Sequence, residues 1–212
     1  MKKYVTELTG TFFLVLVICL SGGNPFAIGS MLMVMVYMGG PVSGAHYNPA
    51  VTLAIWLRGK IEMQEAGMYM LMQMAGAMLA AYFYYLLDGG QHTFVASPNT
   101  DINVIKPLLV EMIFTFALAS VVLTVATSKK SAGNNYFGMA IGFTIVAAAY
   151  AGGHVSGGAY NPAVGAGPIL VDTILGGDSI KHIWIYLVGP FAGGVIAALV
   201  YKYITNSDEF AD

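Results

Sequence analysis

Charge is scarce in this chain. Asp, Glu, Lys and Arg together make up 9 % of its 212 residues, and the net charge is −2. Soluble globular domains carry about a quarter charged residues, so a water-exposed globule is excluded as the body of the molecule. No basic stripe is present to track a phosphate backbone, which excludes nucleic acid as a partner. One cysteine, Cys19, allows no internal disulfide and leaves the redox compartment open. Nucleotide-binding glycine loops, metal-ligand spacings and nucleophile–base pairings are also missing. No cofactor and no metal are expected, and an enzyme is excluded.

What fills the chain instead is apolar: 57 % hydrophobic residues and a mean hydropathy of +0.70. Stretches of about 18 or more apolar residues read as membrane-spanning helices. Six can be drawn, over 4–23, 27–45, 66–87, 107–127, 137–155 and 182–204. Little is left for a soluble domain, so residues 1–212 are expected to form one multi-pass integral membrane unit in contact with lipid. The start, Met1-Lys2-Lys3 before an apolar run, resembles a signal peptide, but Glu7 and Thr9 interrupt the run and no small-residue cleavage site follows. Leu16-Val17-Ile18-Cys19 partly matches a lipoprotein site, with Ile18 where a small residue is needed. An uncleaved first span is expected. An even number of spans puts both termini on one side, together with Lys2, Lys3, Arg58, Lys60, Lys129, Lys130 and Lys202. Lys106 and Lys181 face the other side. The excess of positive charge predicts cytoplasmic termini, with the cell membrane as the expected location.

The chain repeats itself. Ser43-Gly44-Ala45-His46-Tyr47-Asn48-Pro49-Ala50-Val51-Thr52 returns as Ser156-Gly157-Gly158-Ala159-Tyr160-Asn161-Pro162-Ala163-Val164-Gly165. Glu7 with Thr11-Phe12 corresponds to Glu111 with Thr115-Phe116, and Gln73-Met74-Ala75-Gly76 to Pro190-Phe191-Ala192-Gly193. The repeats cover approximately 1–95 and 105–205. Each holds three spans, so the second enters the membrane from the opposite side, an inverted-topology repeat that places its functional site near the midplane. The apolar runs after Asn48 and Asn161 are too short to cross a bilayer and suit re-entrant half-helices. Asn is a favoured N-cap and Pro a favoured first helical residue. Gly39-Gly40-Pro41 and Gly152-Gly153 are expected to end the preceding spans, and Gly44, Gly76, Gly157 and Gly193 to allow close helix contact.

The doubled Asn-Pro-Ala boxes, their Ser-Gly-x-x-Tyr-Asn-Pro-Ala contexts and the intramembrane glutamates resemble the aquaporins, or major intrinsic proteins, over essentially the whole length. The resemblance implies an all-α membrane protein of six transmembrane helices plus two half-helices, a homotetramer with one pore per subunit, and passive passage of water. Asn48-Pro49-Ala50 and Asn161-Pro162-Ala163 would meet at the pore centre, where two positive helix ends oppose cations. A water accepting from both asparagines must turn its hydrogens outward, which breaks a proton-conducting chain. Glu7 and Glu111 would brace the irregular backbone; a carboxylate at membrane depth costs at least about 2–3 kcal/mol unpaired. His46 would line the cytoplasmic vestibule, and His92 and His154 the extracellular mouth.

By ungapped counting from the boxes, the family's four filter positions fall on Ile28, Ala149, Gly158 and Val164, with Tyr150 beside Ala149 as an alternative lining residue. Val164 stands where the family commonly has arginine. These four residues predict a wide, apolar filter passing water with ammonia, urea, glycerol or hydrogen peroxide. The Val164 pattern is similar to some plant tonoplast intrinsic proteins. The alternatives are a water-only channel, a proton-coupled transporter using Glu7 or Glu111, and a membrane-junction protein with a vestigial pore. The thirteen methionines are read as lipid-facing and packing residues, and Asp208–Asp212 as a solvated tail.

Overall fold

The computed structural model describes residues 1–99 and 101–205; the expected tail at 208–212 lies outside them. Eight α-helices follow in order: α1 Lys2–Leu20, α2 Pro25–Ser43, α3 Pro49–Leu57, α4 Met63–Leu87, α5 Ile105–Thr127, α6 Phe137–Ser156, α7 Pro162–Ile174 and α8 Ile183–Ile204. Six are long and apolar enough to cross a membrane. The other two, α3 and α7, have 9 and 13 residues, about 14 and 20 Å at 1.5 Å per residue, short of a bilayer core of about 30 Å. The α1–α4 series repeats as α5–α8 in the opposite sense. The packing repeats as well: α1 lies on α4 as α5 lies on α8, and α1 on α2 as α5 on α6, while α2 crosses α6 between the halves.

Close approach at these crossings depends on missing side chains. A Cβ on Gly76 would run into the Leu8 carbonyl across α1–α4, one on Gly193 into the Met112 carbonyl across α5–α8, and Gly29 and Gly142 face each other's carbonyls between α2 and α6. Gly44 and Gly157 play a different part from the one expected. They are left-handed C-caps (φ +84° and +89°) whose N–H groups bond to Gly40 O and Gly153 O, and Gly157 also packs on the Ser97 backbone. The spans therefore do not end at Gly39-Gly40-Pro41 or Gly152-Gly153; α2 and α6 run on to Ser43 and Ser156. The physical reason is packing. Gly39 and Gly152 leave gaps in the helix face that the Tyr47 and Tyr160 side chains fill.

At the terminal face, where α1 begins and α8 ends, Lys3 pairs with Glu65. There the Arg58 guanidinium lies 5.4 Å from the centre of the Tyr201 ring. At the opposite face Lys181 Nζ bonds Asp178 at 2.8 Å.

Candidate functional site: a central lumen between two half-helix ends

Both half-helices start the same way. Asn48 Oδ1 accepts from Ala50 N (2.9 Å) and Val51 N (3.4 Å), and Asn161 Oδ1 accepts from Ala163 N (2.9 Å) and Val164 N (3.4 Å). With Pro49 and Pro162 at the first helical position, each box caps its own helix. The amide nitrogens cross between halves: Asn48 Nδ2 donates to Tyr160 O at 2.9 Å and Asn161 Nδ2 to Tyr47 O at 2.8 Å. One N–H of each amide is thereby committed, which locks both side chains against flipping and leaves one donor each for a guest in the lumen that both asparagines line.

The turns leading into the boxes are strained. Tyr47 and Tyr160 both sit at φ +49°, a left-handed conformation costing about 1–2 kcal/mol outside glycine. Buried carboxylates hold them. Glu7 accepts from Ser43 Oγ (2.6 Å), His46 N (3.0 Å), Tyr47 N (2.8 Å) and Gln73 Nε2 (2.8 Å). Glu111 accepts from Ser156 Oγ (2.7 Å), Ala159 N (3.0 Å) and Tyr160 N (2.6 Å). Both are wholly buried, and neither lines any of the three cavities described below. From the other side, the Tyr47 and Tyr160 hydroxyls donate to Met35 O and Ala148 O, while those of Tyr69 and Tyr186 donate to Ser43 O and Ser156 O.

The halves differ in one network. Gln73 Nε2 also donates to Thr52 Oγ1 (2.9 Å), Thr52 donates to Asn48 O (3.0 Å), and His46 Nδ1 lies 3.1 Å from Thr52 Oγ1. With the Thr52 proton spent on Asn48, a protonated His46 Nδ1 completes the hydroxyl's valences and leaves Nε2 an acceptor. In the second half Gly165 and Pro190 occupy the corresponding positions, and the Tyr186 ring fills the space over Gly165.

Three cavities lie in series. The central one, lined by Asn48, Asn161 and His46, shares Ile18, Ile28, Gly158 and Val164 with the mouth on the opposite face. It shares Val36, Ala45, Val122 and Ile141 with the mouth on the terminal face. The cavity volume is about 30 Å³ in the middle, against about 530 and 470 Å³ in the mouths. Since about 10–15 Å³ of such volume holds one water, the centre has room for only two or three waters at a time.

Of the four positions expected to form the filter, Ile28, Gly158 and Val164 line both the lumen and the opposite mouth. Ala149 and Tyr150 both line the mouth only. His46 lines the central lumen rather than the open vestibule, because its bond to Thr52 and its edge contact with Tyr69 draw it in. His154 lines the opposite mouth; His92 pairs instead with Asp88 at 3.0 Å. Sequence reasoning missed the aliphatic lining: Leu14, Ile18, Leu32, Leu118 and Ile145 project into the lumen from four helices and make it narrow. Only their helical positions in apolar spans pointed to them, and every lipid-facing residue shares that property.

Comparison with known proteins places this geometry. The chain matches the Major intrinsic protein family over residues 1–201. It is 36 % identical over 216 residues to the aquaporin NIP1-1 of Zea mays, covering 96 % of this chain and 74 % of that one. It is 32 % identical over 222 residues to nodulin-26 of Glycine max, covering 99 % and 80 %. These relatives are NIP-type aquaporins, not the tonoplast intrinsic proteins to which the residue at 164 points. The fold matches an X-ray structure of the aquaglyceroporin from Plasmodium falciparum with a TM-score of 0.87, at 21 % identity and with 98 % of each chain covered. With six spans, two capped half-helices meeting at a lumen and a family match over nearly its whole length, the chain belongs to the major intrinsic proteins: it is an aquaporin-type membrane channel and not an enzyme.

Proposed function

We propose that this channel passes water and small neutral solutes through a constriction made by Ile28, Gly158 and Val164, with Ala149 at its outer rim and no fixed positive charge. The observation that carries the reading is that Ile28, Gly158 and Val164 line both the lumen and the opposite mouth. A guest crossing there meets aliphatic side chains and a glycine, with no side-chain donor to satisfy. Such a passage favours molecules that give up few hydrogen bonds. Leaving a buried donor or acceptor unpaired costs about 1–3 kcal/mol, so ammonia is favoured over glycerol with its three hydroxyls. The lumen of about 30 Å³ orders the candidates by size in the same way: water and ammonia first, then hydrogen peroxide, with urea and glycerol requiring Leu14, Ile18 or Leu32 to turn aside. The expected wide filter thus becomes an apolar filter above a narrow lumen.

Protons and cations are opposed at the two half-helix ends and by the donors of Asn48 and Asn161. Positive residues concentrated at the terminal face support cytoplasmic termini, the family resemblance supports a homotetramer, and the cell membrane is the location inferred for it. The positions of Glu7 and Glu111 behind the boxes argue against a proton-coupled transporter, whose coupling carboxylate must meet the permeant path. Stopped-flow measurement on purified protein in liposomes tests the reading. Water and ammonia flux above that of empty vesicles is expected, driven only downhill. Vesicles as tight as empty ones, or solute accumulated against its gradient, would refute it.

A further inference from the structure

The opposite mouth has a wall that belongs to no helix. Phe94, Val95, Ala96 and Ser97 line it together with Ile28, Gly158 and Val164. The segment is pinned at its end, where Asn99 N donates to Val155 O at 3.0 Å, and in its middle, where the Ser97 backbone lies so close to Gly157 that a Cβ there would come within 2.7 Å of Ser97 N. Its start is held differently. Thr93 Oγ1 donates to Asp172 Oδ1, while Asp172 Oδ2 accepts from Ser179 Oγ and from Ser179 N at 3.3 Å. Gly177 carries no side chain where the Asp172 carboxylate sits. One carboxylate in the last turn of α7 thus joins the half-helix that bears Val164, the connection into α8, and the segment across the mouth.

We propose that residues 93–97 are a fixed wall of the permeation path which limits the solutes reaching Val164, and that Asp172 is the positioning residue holding it in place. The inference deepens the neutral-solute reading and rests on it for the identity of the permeants, though not for the geometry. Asp172 lines none of the three cavities, so it acts through the segment. With the tether lost, Phe94 and Val95 are free to swing away from the mouth, and molecules larger than water gain more than water does, since the wall adds a second barrier to the one they meet in the lumen and leaves ample room for water.

The test compares glycerol and urea permeability, each divided by water permeability, in liposomes bearing wild type, Asp172→Ala, Asp172→Asn and Thr93→Val. The alanine and Thr93→Val variants should raise both ratios severalfold. Asp172→Asn should restore the wild-type ratios, because its amide accepts from Ser179 and donates to the Thr93 hydroxyl. Thr93→Val leaves α7 untouched and keeps the test open if Asp172→Ala fails to fold. Unchanged ratios in Thr93→Val, or all fluxes falling together at constant ratio, would overturn the proposal. A wild type that passes water and no solute would refute the neutral-solute reading alone. The wall would then be supported by solute flux appearing in Thr93→Val, and overturned if none appeared.

Discussion

Removing the Glu111 carboxylate should cost this protein more than any loss of contact area suggests. In Glu111→Ala, Ala159 N and Tyr160 N lose their acceptor (3.0 and 2.6 Å in the wild type) in a wholly buried site. The Ser156 hydroxyl can rotate elsewhere; the two backbone N–H groups cannot. At about 1–3 kcal/mol for each orphaned donor, the loss is about 2–6 kcal/mol, reduced by whatever the buried carboxylate itself costs. Chains of this size lose roughly 2–4 °C of melting temperature per kcal/mol, so a drop on the order of 10 °C is expected. Glu111→Gln keeps an oxygen for Ser156 and Ala159 but turns its NH₂ toward the Tyr160 N–H, and should fall between the two. The assay is thermal unfolding of detergent-solubilised protein followed by size-exclusion recovery. An alanine variant melting within about 2 °C of wild type would refute the bracing role. A glutamine variant as stable as wild type that had lost only proton-dependent transport would point to a relay.

Further outcomes follow from the same structure. Gly76→Val and Gly193→Val should each lose about 1–3 kcal/mol or fail to assemble, because a Cβ would meet the carbonyls of Leu8 and Met112. Gly67→Ala, whose Cβ would have nothing within 4 Å, should melt like wild type. Partial burial pushes the Asp172 carboxyl up, but hydrogen bonds from Ser179 and Thr93 outweigh it and leave its pKa below the ordinary carboxylate value. A depressed pKa contributes stability that is present above the unfolded value of about 3.9 and is lost as pH falls through the folded one. Asp178 is the neighbouring titratable group, itself depressed by its bond to Lys181. The stability difference between wild type and Asp172→Ala should therefore stay constant from about pH 5 to 8 and close below about pH 4, as read by melting temperature against pH.

The symmetric parts of this molecule were legible in its sequence, and the asymmetric parts were not. Two copies of one ten-residue phrase located Asn48 and Asn161 as helix caps, and the paired positions of Glu7 and Glu111 pointed to shared scaffolding. Helix ends were less readable because glycine carries two messages. Gly39 and Gly152 look like breaks and are sockets for Tyr47 and Tyr160, whereas the breaks fall at Gly44 and Gly157, where φ is positive. The lumen's width could not be read at all. In a soluble helix the buried stripe stands out against polar neighbours, but in lipid the outward face is apolar too, so Leu14 in the lumen and Phe13 on the surface look alike. The link between Thr93 and Asp172 spans 79 residues and joins a loop to the last turn of α7 with no repeat to announce it.

The central claim is that Val164 occupies the constriction and that its lack of charge and donor sets what passes. Water, ammonia, urea and glycerol permeabilities measured side by side for wild type and Val164→Arg test it most directly. A guanidinium at the junction of lumen and mouth should cut urea and glycerol flux severalfold more than water flux. Equal permeability ratios in the two proteins, with both equally incorporated, would mean that the path does not narrow at Val164.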